Sequence, residues 1–283
     1  MQYIPIKKPS KHFSAMSNTF DIKRFWKYLS RETAQAKNNF GLSLLISGLL
    51  PVIFYFFFEV IYSLISGEWG VQPLSNRITM FAVAFTVSIL NFPVKQYGKI
   101  TDKRFGAEYL MLPASTFEKW LSMVAVSCII VPFVLFALLL GSDALMSLIF
   151  PGTYGQCLTC GDMNALWVSF GEDEVGVAGS PLGILWLNWI EMVLCFNLGV
   201  LVFKKSKIGK TFLVMIGFSF VCSILSILIV GDMDFESWLS KVFEEKDPQY
   251  IINTIYWFIG IIYAIIISAL AAGLYARIRT LKL

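Results

Sequence analysis

Residues 40–65 read FGLSLLISGLLPVIFYFFFEVIYSLI, an apolar run in which Glu59 is the only charged side chain. A transmembrane helix needs about 20 mostly apolar residues, because the hydrocarbon core is about 30 Å thick and each helical residue rises about 1.5 Å. The run meets that length and lacks the alternation that a barrel strand requires. It therefore predicts a membrane-spanning helix.

Five further apolar runs of similar length follow this one, at residues 78–97, 118–140, 183–203, 211–230 and 251–275. Together they predict an all-α polytopic membrane protein with six transmembrane helices over residues 39–283, here called spans one to six. Spans two and three are joined by the connection 98–117. Longer loops are expected at residues 149–182 and 231–250.

The composition agrees with a membrane protein. Of the 283 residues, 57% are hydrophobic and 15% are charged, against about 45–50% and 25% in soluble domains. A water-soluble fold of this composition would expose large apolar patches. The net charge of +4 is small and dispersed, so nucleic-acid binding is not expected. Because His12 is the only histidine, no metal site is expected either.

The positive charges predict the orientation. In the six-span topology, all but three of the 23 Lys and Arg residues fall on one side, the exceptions being Arg77, Lys241 and Lys246. Because cytoplasmic loops carry the excess of Lys and Arg, both termini are predicted to be cytoplasmic. The first 38 residues are polar and basic, so no cleavable signal peptide is expected.

The segment before span one divides in two. Residues 1–19 lack periodicity and predict a flexible arm. Residues 20–38 predict an amphipathic elbow helix at the membrane surface, whose cations meet anionic membrane lipid. Its apolar stripe is Ile22, Phe25, Trp26 and Leu29, opposite Lys23, Lys27 and Arg31. The helix either only anchors the chain or transmits force into span one, and the residues leave both interpretations open.

The connection 98–117 mixes charged and aromatic residues. Thr101 and Asp102 are good helix-start residues, and Pro113 would end a short helix that begins there. Ser115 and Glu118 form a capping-box pattern that starts span three. The result is a compact projection suited to docking a soluble partner, with an ordinary connector as the alternative.

This layout resembles the ABC-2 type permease subunits of bacterial ABC transporters. Those proteins share the elbow helix, six spans with both ends inside, and a coupling helix between spans two and three. The run YLMLPAS at 109–115, followed by EKW at 118–120, is similar to a Leu-Pro-Ala-Ser, Glu-Lys-aromatic stretch of such permeases.

The resemblance implies a non-enzymatic membrane subunit of an exporter in the bacterial inner membrane. The subunit would pair with itself or with a sister permease, and a separate ABC ATPase subunit would bind ATP and Mg²⁺. The residues implied to dock that ATPase are Lys103, Arg104, Phe105, Glu108 and Tyr109.

No nucleotide cofactor is expected on this chain itself. Gly209-Lys210-Thr211 is similar to the end of a phosphate-binding loop, but Lys204 stands where that loop requires a glycine.

Span four contains an acid near its middle. Glu191 shares a helix face with Asn188 and Cys195. Because a carboxylate in the membrane is costly, such residues commonly mark a translocation path or a subunit interface. The alternative is a protonated Glu191 that is hydrogen-bonded to a neighbouring helix.

Two further pairs are predicted on the external side. Glu59 and Arg77 are expected to form an outer clamp between spans one and two, and Asp143 is expected to be solvated. Cys157 and Cys160 lie in the loop after span three, where they would form a disulfide or remain free thiols.

Two functions compete with transport. A membrane scaffold or sensor would share the topology but would bind no ATPase. An intramembrane enzyme centred on Glu191 would lack the histidine or paired acids that such chemistry normally uses.

Overall fold

The computed structural model describes residues 20–67, 74–101, 106, 109, 111–155, 157, 168–170, 177–179, 181–230 and 248–281. The helices, in chain order, are α1 (Ile22–Gly48), α2 (Leu50–Ser66), α3 (Leu74–Tyr97), α4 (Thr116–Ala125), α5 (Val131–Ile149), α6 (Pro181–Val202), α7 (Lys207–Val230) and α8 (Pro248–Thr280). A 3₁₀ turn, Gly98–Thr101, continues α3, and a π-helical turn, Val126–Ile130, joins α4 to α5. The strands β1 (Val168–Phe170) and β2 (Val177–Gly179) form a short antiparallel hairpin that the sequence did not predict.

The helices confirm a membrane fold. Within the described residues, four stretches are long and apolar enough to cross a membrane: Ile22–Ser66, Thr116–Ile149, Lys207–Leu225 and Tyr256–Thr280. They correspond to predicted spans one, three, five and six. Span four corresponds to a shorter apolar helix, Trp186–Val202, and span two lies in α3, which is not among the four stretches. The helical membrane architecture is therefore confirmed, and the count of six spans stays a prediction.

The helices alternate in direction and bring the basic segments together. The start of α1 contacts the start of α4 through Arg24 and Glu118. The start of α7 contacts the end of α3 through Lys207 and Thr101, and Arg277 near the end of α8 donates to a carbonyl at the end of α6. We call this the basic end of the bundle and the opposite one the far end. The predicted arm 1–19 and most of the two predicted loops lie outside the described residues.

Two prolines coincide with irregularities in the helices. α1 runs unbroken through the expected boundary at residue 38 and ends at Gly48, where Leu49 (φ −90°, ψ 0°) separates it from α2. Pro51 accounts for this break, because it lacks an N–H and its ring clashes with the carbonyl four residues earlier. Pro132 directly follows the π-helical turn, where the hydrogen-bond ladder shifts register.

The inward face of α1 differs from the predicted apolar stripe. Tyr28, Glu32, Ala36 and Phe40, at spacings of four, are buried, and Leu29 of the predicted stripe is buried beside them. Ile22 and Trp26 of that stripe are exposed. The helices packed against α1 therefore select its buried face, and this face includes a carboxyl group.

The centre of the bundle is apolar, whereas its periphery exposes apolar side chains. Side chains from α3, the α4–α5 helix, α6 and α8 share one buried cluster, which includes Phe92, Met123, Leu135, Leu194 and Leu274. Along α7, most large apolar side chains are exposed, among them Phe212, Leu213, Phe218, Phe220 and Val221. Such a surface suits hydrocarbon rather than water.

The far end contains a buried ion pair that corrects the expected clamp. Arg77 on α3 pairs with Asp143 on α5 (Nη2 to Oδ1, 2.5 Å), and Tyr154 donates a second hydrogen bond to the same oxygen at 2.7 Å. The Arg77 guanidinium also lies 4.3 Å from the centroid of the Tyr154 ring. The predicted pairing of Arg77 with Glu59 was therefore wrong. The prediction of a solvated Asp143 was also wrong, because its side chain is 1% exposed.

Glu59 is buried on α2, and its Oε2 atom accepts no hydrogen bond in the part of the chain that the structure describes. The turn after α5 explains why Arg77 pairs with Asp143 and not with Glu59. This turn places Tyr154 against the end of α5 and orients Asp143 toward Arg77. This arrangement depends on packing between distant segments, which the loop length between spans one and two does not reveal.

The structure decides between the two states left open for Cys157. This residue takes part in a disulfide, whereas Cys128 and Cys195 in the helices are free thiols. Cys160, the predicted partner of Cys157, lies outside the described residues.

Gly48 lies where α1 crosses α5 closely. A Cβ atom at this position would come within 2.6 Å of the Leu138 Cβ. We expect Gly48→Ala to destabilise the bundle by about 1–3 kcal/mol, because overpacking pushes the two helices apart. Thermal unfolding in detergent measures the effect.

Gly41→Ala is the matched control on the same helix, since its added Cβ meets only a flexible Lys37 side chain at 3.6 Å. Equal unfolding temperatures for the two variants would contradict the close approach.

Candidate functional site

The candidate site is the junction at the basic end, where the start of α1, the connection 98–117 and the start of α4 meet. At its centre is the Glu118 carboxylate, whose side chain is 0% exposed, whereas the Arg24 side chain is 27% exposed. Arg24 donates to both carboxylate oxygens, through Nη2 to Oε1 at 2.7 Å and through Nε to Oε2 at 2.8 Å. Such two-point pairing is the strongest form of charge-assisted hydrogen bond.

Two backbone groups complete the coordination of this carboxylate. The Asp21 N–H donates to Oε1 at 2.9 Å, and the Ser115 N–H donates to Oε2 at 2.9 Å. The Glu118 N–H in turn donates to Ser115 Oγ at 3.2 Å, which confirms the predicted capping box. A carboxylate can accept about four hydrogen bonds, so the acceptor capacity of Glu118 is used fully.

Five residues in the connection are implied to dock an ATPase. Lys103, Arg104, Phe105 and Glu108 lie outside the described residues. Tyr109 is described: it is helical and half-buried, and its hydroxyl oxygen is buried. Its ring packs against the apolar core of the bundle, and its role in docking stays a prediction.

Lys119 of α4 holds the connection at Tyr109. Its Nζ donates to the Tyr109 carbonyl at 2.9 Å and lies 5.2 Å from the centroid of the Tyr109 ring. A cation bound to a carbonyl at the end of a helical turn is a common helix stop. The turn at Pro113 follows, with the Ala114 N–H bonded to the Leu112 carbonyl at 2.8 Å.

The start of the connection is fastened to α7. Lys207 donates to Thr101 Oγ1 at 2.7 Å and to the Gly98 carbonyl. The connection is therefore held at its start and at Tyr109 by lysines from two different helices.

An aromatic cluster joins the same junction to α8. Phe117 packs on Trp120 (ring centroids 5.4 Å apart), and both rings contact Tyr275. The Trp120 indole N–H donates to the Ala271 carbonyl at 2.9 Å. The start of α4 is thus attached to α1 by charge and to α8 by aromatic packing.

A polar cavity of about 210 Å³ lies beside the junction, between α1, the end of α3 and the connection. Arg31, Gln35, Asn39 and Lys99 line its exposed mouth. Tyr28, Glu32, Gln96, Tyr97 and Tyr109 line the deeper part. Asn39 donates to Gln96 at 3.1 Å, and Glu32 accepts from Ser122 of α4.

The acid in this cavity has a raised pKa. Glu32 precedes the apolar run of span one, and burial raises the pKa of its carboxyl to about 7. Burial, followed by the nearby charge of Glu32, also raises the pKa of Tyr109. The Tyr97 and Tyr109 hydroxyls are buried and make no hydrogen bond of normal geometry, although Tyr97 interacts with Glu32, and Tyr109 interacts with both Tyr28 and Glu32.

The predicted acid of span four occupies a different place. Glu191 and Asn188 are half-buried on α6 and are not hydrogen-bonded to each other. Glu191 lies within electrostatic range of Cys195 and of Tyr263 on α8. The buried polar contact of this helix is instead Asn197, whose amide donates to Ser127 of the π-helical turn at 3.0 Å.

Arg24, Glu32 and Tyr97 are among the residues of the junction and cavity that sequence reasoning missed. Arg24 was considered only as one of the positive charges that predict the orientation of the chain in the membrane. A signal for Glu32 existed, because it recurs at spacings of four with Tyr28, Ala36 and Phe40 on one helix face. No comparable pattern identifies Tyr97 or the partner of Arg24. Comparison of the chain with protein-family models, curated proteins and solved structures finds no match.

The role of the Glu118 carboxylate in holding the connection can be tested by removing its charge alone. Glu118→Gln retains an amide oxygen for the capping box but loses the ion pair with Arg24. Removing one partner of a buried pair costs about 3–5 kcal/mol. Because Arg24 keeps some contact with water, we expect a loss of about 3 kcal/mol, with faster hydrogen exchange at residues 98–117.

Hydrogen-exchange mass spectrometry in detergent measures this change. Lys23→Gln is the control, since this side chain is an exposed cation one residue from Arg24. Unchanged exchange in Glu118→Gln would show that the carboxylate does not hold the connection.

Proposed function

We propose that this chain is the membrane-spanning permease subunit of an ATP-driven exporter. It would cross the bacterial inner membrane six times, with the basic end and both termini in the cytoplasm. The chain itself would catalyse no reaction, and ATP and Mg²⁺ would bind a separate ABC ATPase subunit that docks on the connection 98–117.

The observation that carries this proposal is the anchoring of the connection at two points, its start and Tyr109. Lys207 of α7 holds the 3₁₀ turn, and Lys119 of α4 holds the Tyr109 carbonyl. Glu118 then ties the start of α4 to α1. A force applied to the connection would therefore reach α1, α4 and α7 together, as coupling to a moving ATPase requires.

The charge distribution supports the orientation. The helix ends and connections that meet at the basic end carry nearly all of the Lys and Arg residues. Such a bias is characteristic of the cytoplasmic side.

The exposed helix faces support pairing with a second membrane subunit. α8 exposes Trp257 and Phe258 as well as Ile261 and Ile265, and α7 exposes most of its large side chains. These faces suit lipid, a second copy of the chain or a sister permease. Glu191, half-buried beside α8, is the residue proposed to line the translocation path or the subunit interface.

Charge reversal in the connection tests the docking. Lys103→Glu combined with Arg104→Glu should lose at least about tenfold of a co-purifying ATPase, because like charges across a docking surface repel. The tagged chain is purified from its native membranes in mild detergent. Mass spectrometry then quantifies any soluble chain with ATPase motifs, and ATP turnover is measured.

Lys204→Glu combined with Lys205→Glu is the matched control, with the same charge change in the connection between α6 and α7. Recovery of the unmodified chain without an ATPase would favour the membrane scaffold or sensor. Equal loss in both double variants would reduce the effect to general surface charge and contradict docking on 98–117.

A further inference from the structure

Two buried tyrosine hydroxyls beside the polar cavity lack a well-formed hydrogen bond, although Tyr97 lies close to Glu32 and Tyr109 lies close to Tyr28. Tyr97 is 2% exposed and lines the cavity, yet its hydroxyl has no hydrogen-bond partner of normal geometry. The buried Tyr109 hydroxyl is in the same state. Leaving a buried hydroxyl unpaired costs about 1–3 kcal/mol, so two such groups around one cavity point to a ligand that accepts hydrogen bonds.

We propose that this cavity binds the phosphate of an anionic phospholipid headgroup, with the lipid's acyl chains lying along α1. The proposal concerns the cavity alone and does not depend on transport or on an ATPase. It requires only that the chain sits in a bilayer with residues 31–39 at the level of the headgroups.

The residues at the mouth supply the charge for an oxyanion. Arg31 on α1 and Lys99 on the 3₁₀ turn both line the exposed mouth. A guanidinium presents several donors in one plane, which suits phosphate oxygens, and an ammonium adds a point charge. Basic pockets between transmembrane helices at this level bind lipid headgroups in other membrane proteins.

Glu32 opposes an anion only when it is ionised. Burial raises the pKa of its carboxyl to about 7, so near neutral pH about half of the molecules carry no charge there. Among the described residues that line the cavity, Arg31 and Lys99 are cationic and Glu32 is the acid.

The face of α1 that holds the mouth continues as an exposed apolar surface. Arg31, Gln35 and Asn39 lie at spacings of four, and Leu42 and Ile46 extend the same face by one and two further turns. Leu42 is 74% exposed and Ile46 is 51% exposed. Polar groups followed by apolar groups on one face match a headgroup followed by its acyl chain, which a free phosphate would not need.

The size of the cavity agrees with a headgroup. About 210 Å³ is several times the ~30 Å³ occupied by one water molecule. It is smaller than the ~300–1,000 Å³ of pockets that enclose whole drug-sized ligands. The cavity therefore admits a phosphate with a short polar group and leaves the acyl chains outside.

Native mass spectrometry of the full chain in detergent measures the binding, with phosphatidylglycerol as the anionic probe and phosphatidylcholine as the zwitterionic one. We expect Arg31→Gln combined with Lys99→Gln to weaken phosphatidylglycerol binding about tenfold or more. Tyr97→Phe should weaken it about fivefold. Lys27→Gln is the control, an exposed cation one turn before Arg31 and outside the cavity, and should stay within about twofold.

A change in the opposite direction separates binding from folding. At pH 8, where Glu32 is mostly ionised, Glu32→Gln should tighten phosphatidylglycerol binding roughly threefold, because one like charge is removed. A variant that merely damaged the fold would not bind lipid more tightly. Thermal unfolding of each variant in detergent checks that the helices remain packed.

Several outcomes would overturn the proposal. Equal weakening by Lys27→Gln and by the cavity variants would show general attraction of lipid to a basic surface. Equal binding of phosphatidylcholine would show that the anionic charge is not recognised. Glycerol 3-phosphate that binds as tightly as the lipid and displaces it would identify a soluble phosphate as the ligand instead.

Discussion

Hydrocarbon offers no hydrogen-bond partner to a peptide group, so each helix of this protein satisfies its own backbone across the apolar stretch. Polar side chains that join different helices are therefore costly in the middle of the bilayer and favourable at the ends of the helices. Two ion pairs follow this constraint, Arg24 with Glu118 at the basic end and Arg77 with Asp143 at the far end. Between them, the helices contact each other mainly through apolar side chains, with Asn197 and Ser127 as a buried exception.

The basic end concentrates the contacts that hold the connection between α3 and α4. Lysines from α4 and α7 bind its backbone, and the capping box sets the direction in which α4 leaves it. The polar cavity borders the same segment through Lys99 and Tyr109. If both proposals hold, a lipid headgroup would touch the segment on which the ATPase docks, and membrane composition would influence coupling through a direct contact.

Local patterns were reliable where one segment decides the outcome. The capping box of Ser115 and Glu118 involves residues only three positions apart. The stripe predicted for residues 20–38 failed in part, because the helices packed on α1 bury Tyr28 and Glu32 while Trp26 stays exposed. The clamp between Glu59 and Arg77 failed for the same reason, since the turn after α5 supplies Arg77 with Asp143.

The sequence by itself determined the helical membrane architecture, because the length and hydropathy of a single segment decide whether that segment can cross a bilayer. The sequence also determined the charge asymmetry between the two sides, because the Lys and Arg residues of each connection can be counted without knowledge of the tertiary structure. Only the tertiary structure decided which polar groups meet. Arg24 and Glu118 are 94 positions apart, and the spacing of residues along one helix carries no information about the neighbour that faces them. The cavity beside the junction arises in the same way, from three segments that approach each other only in the folded bundle.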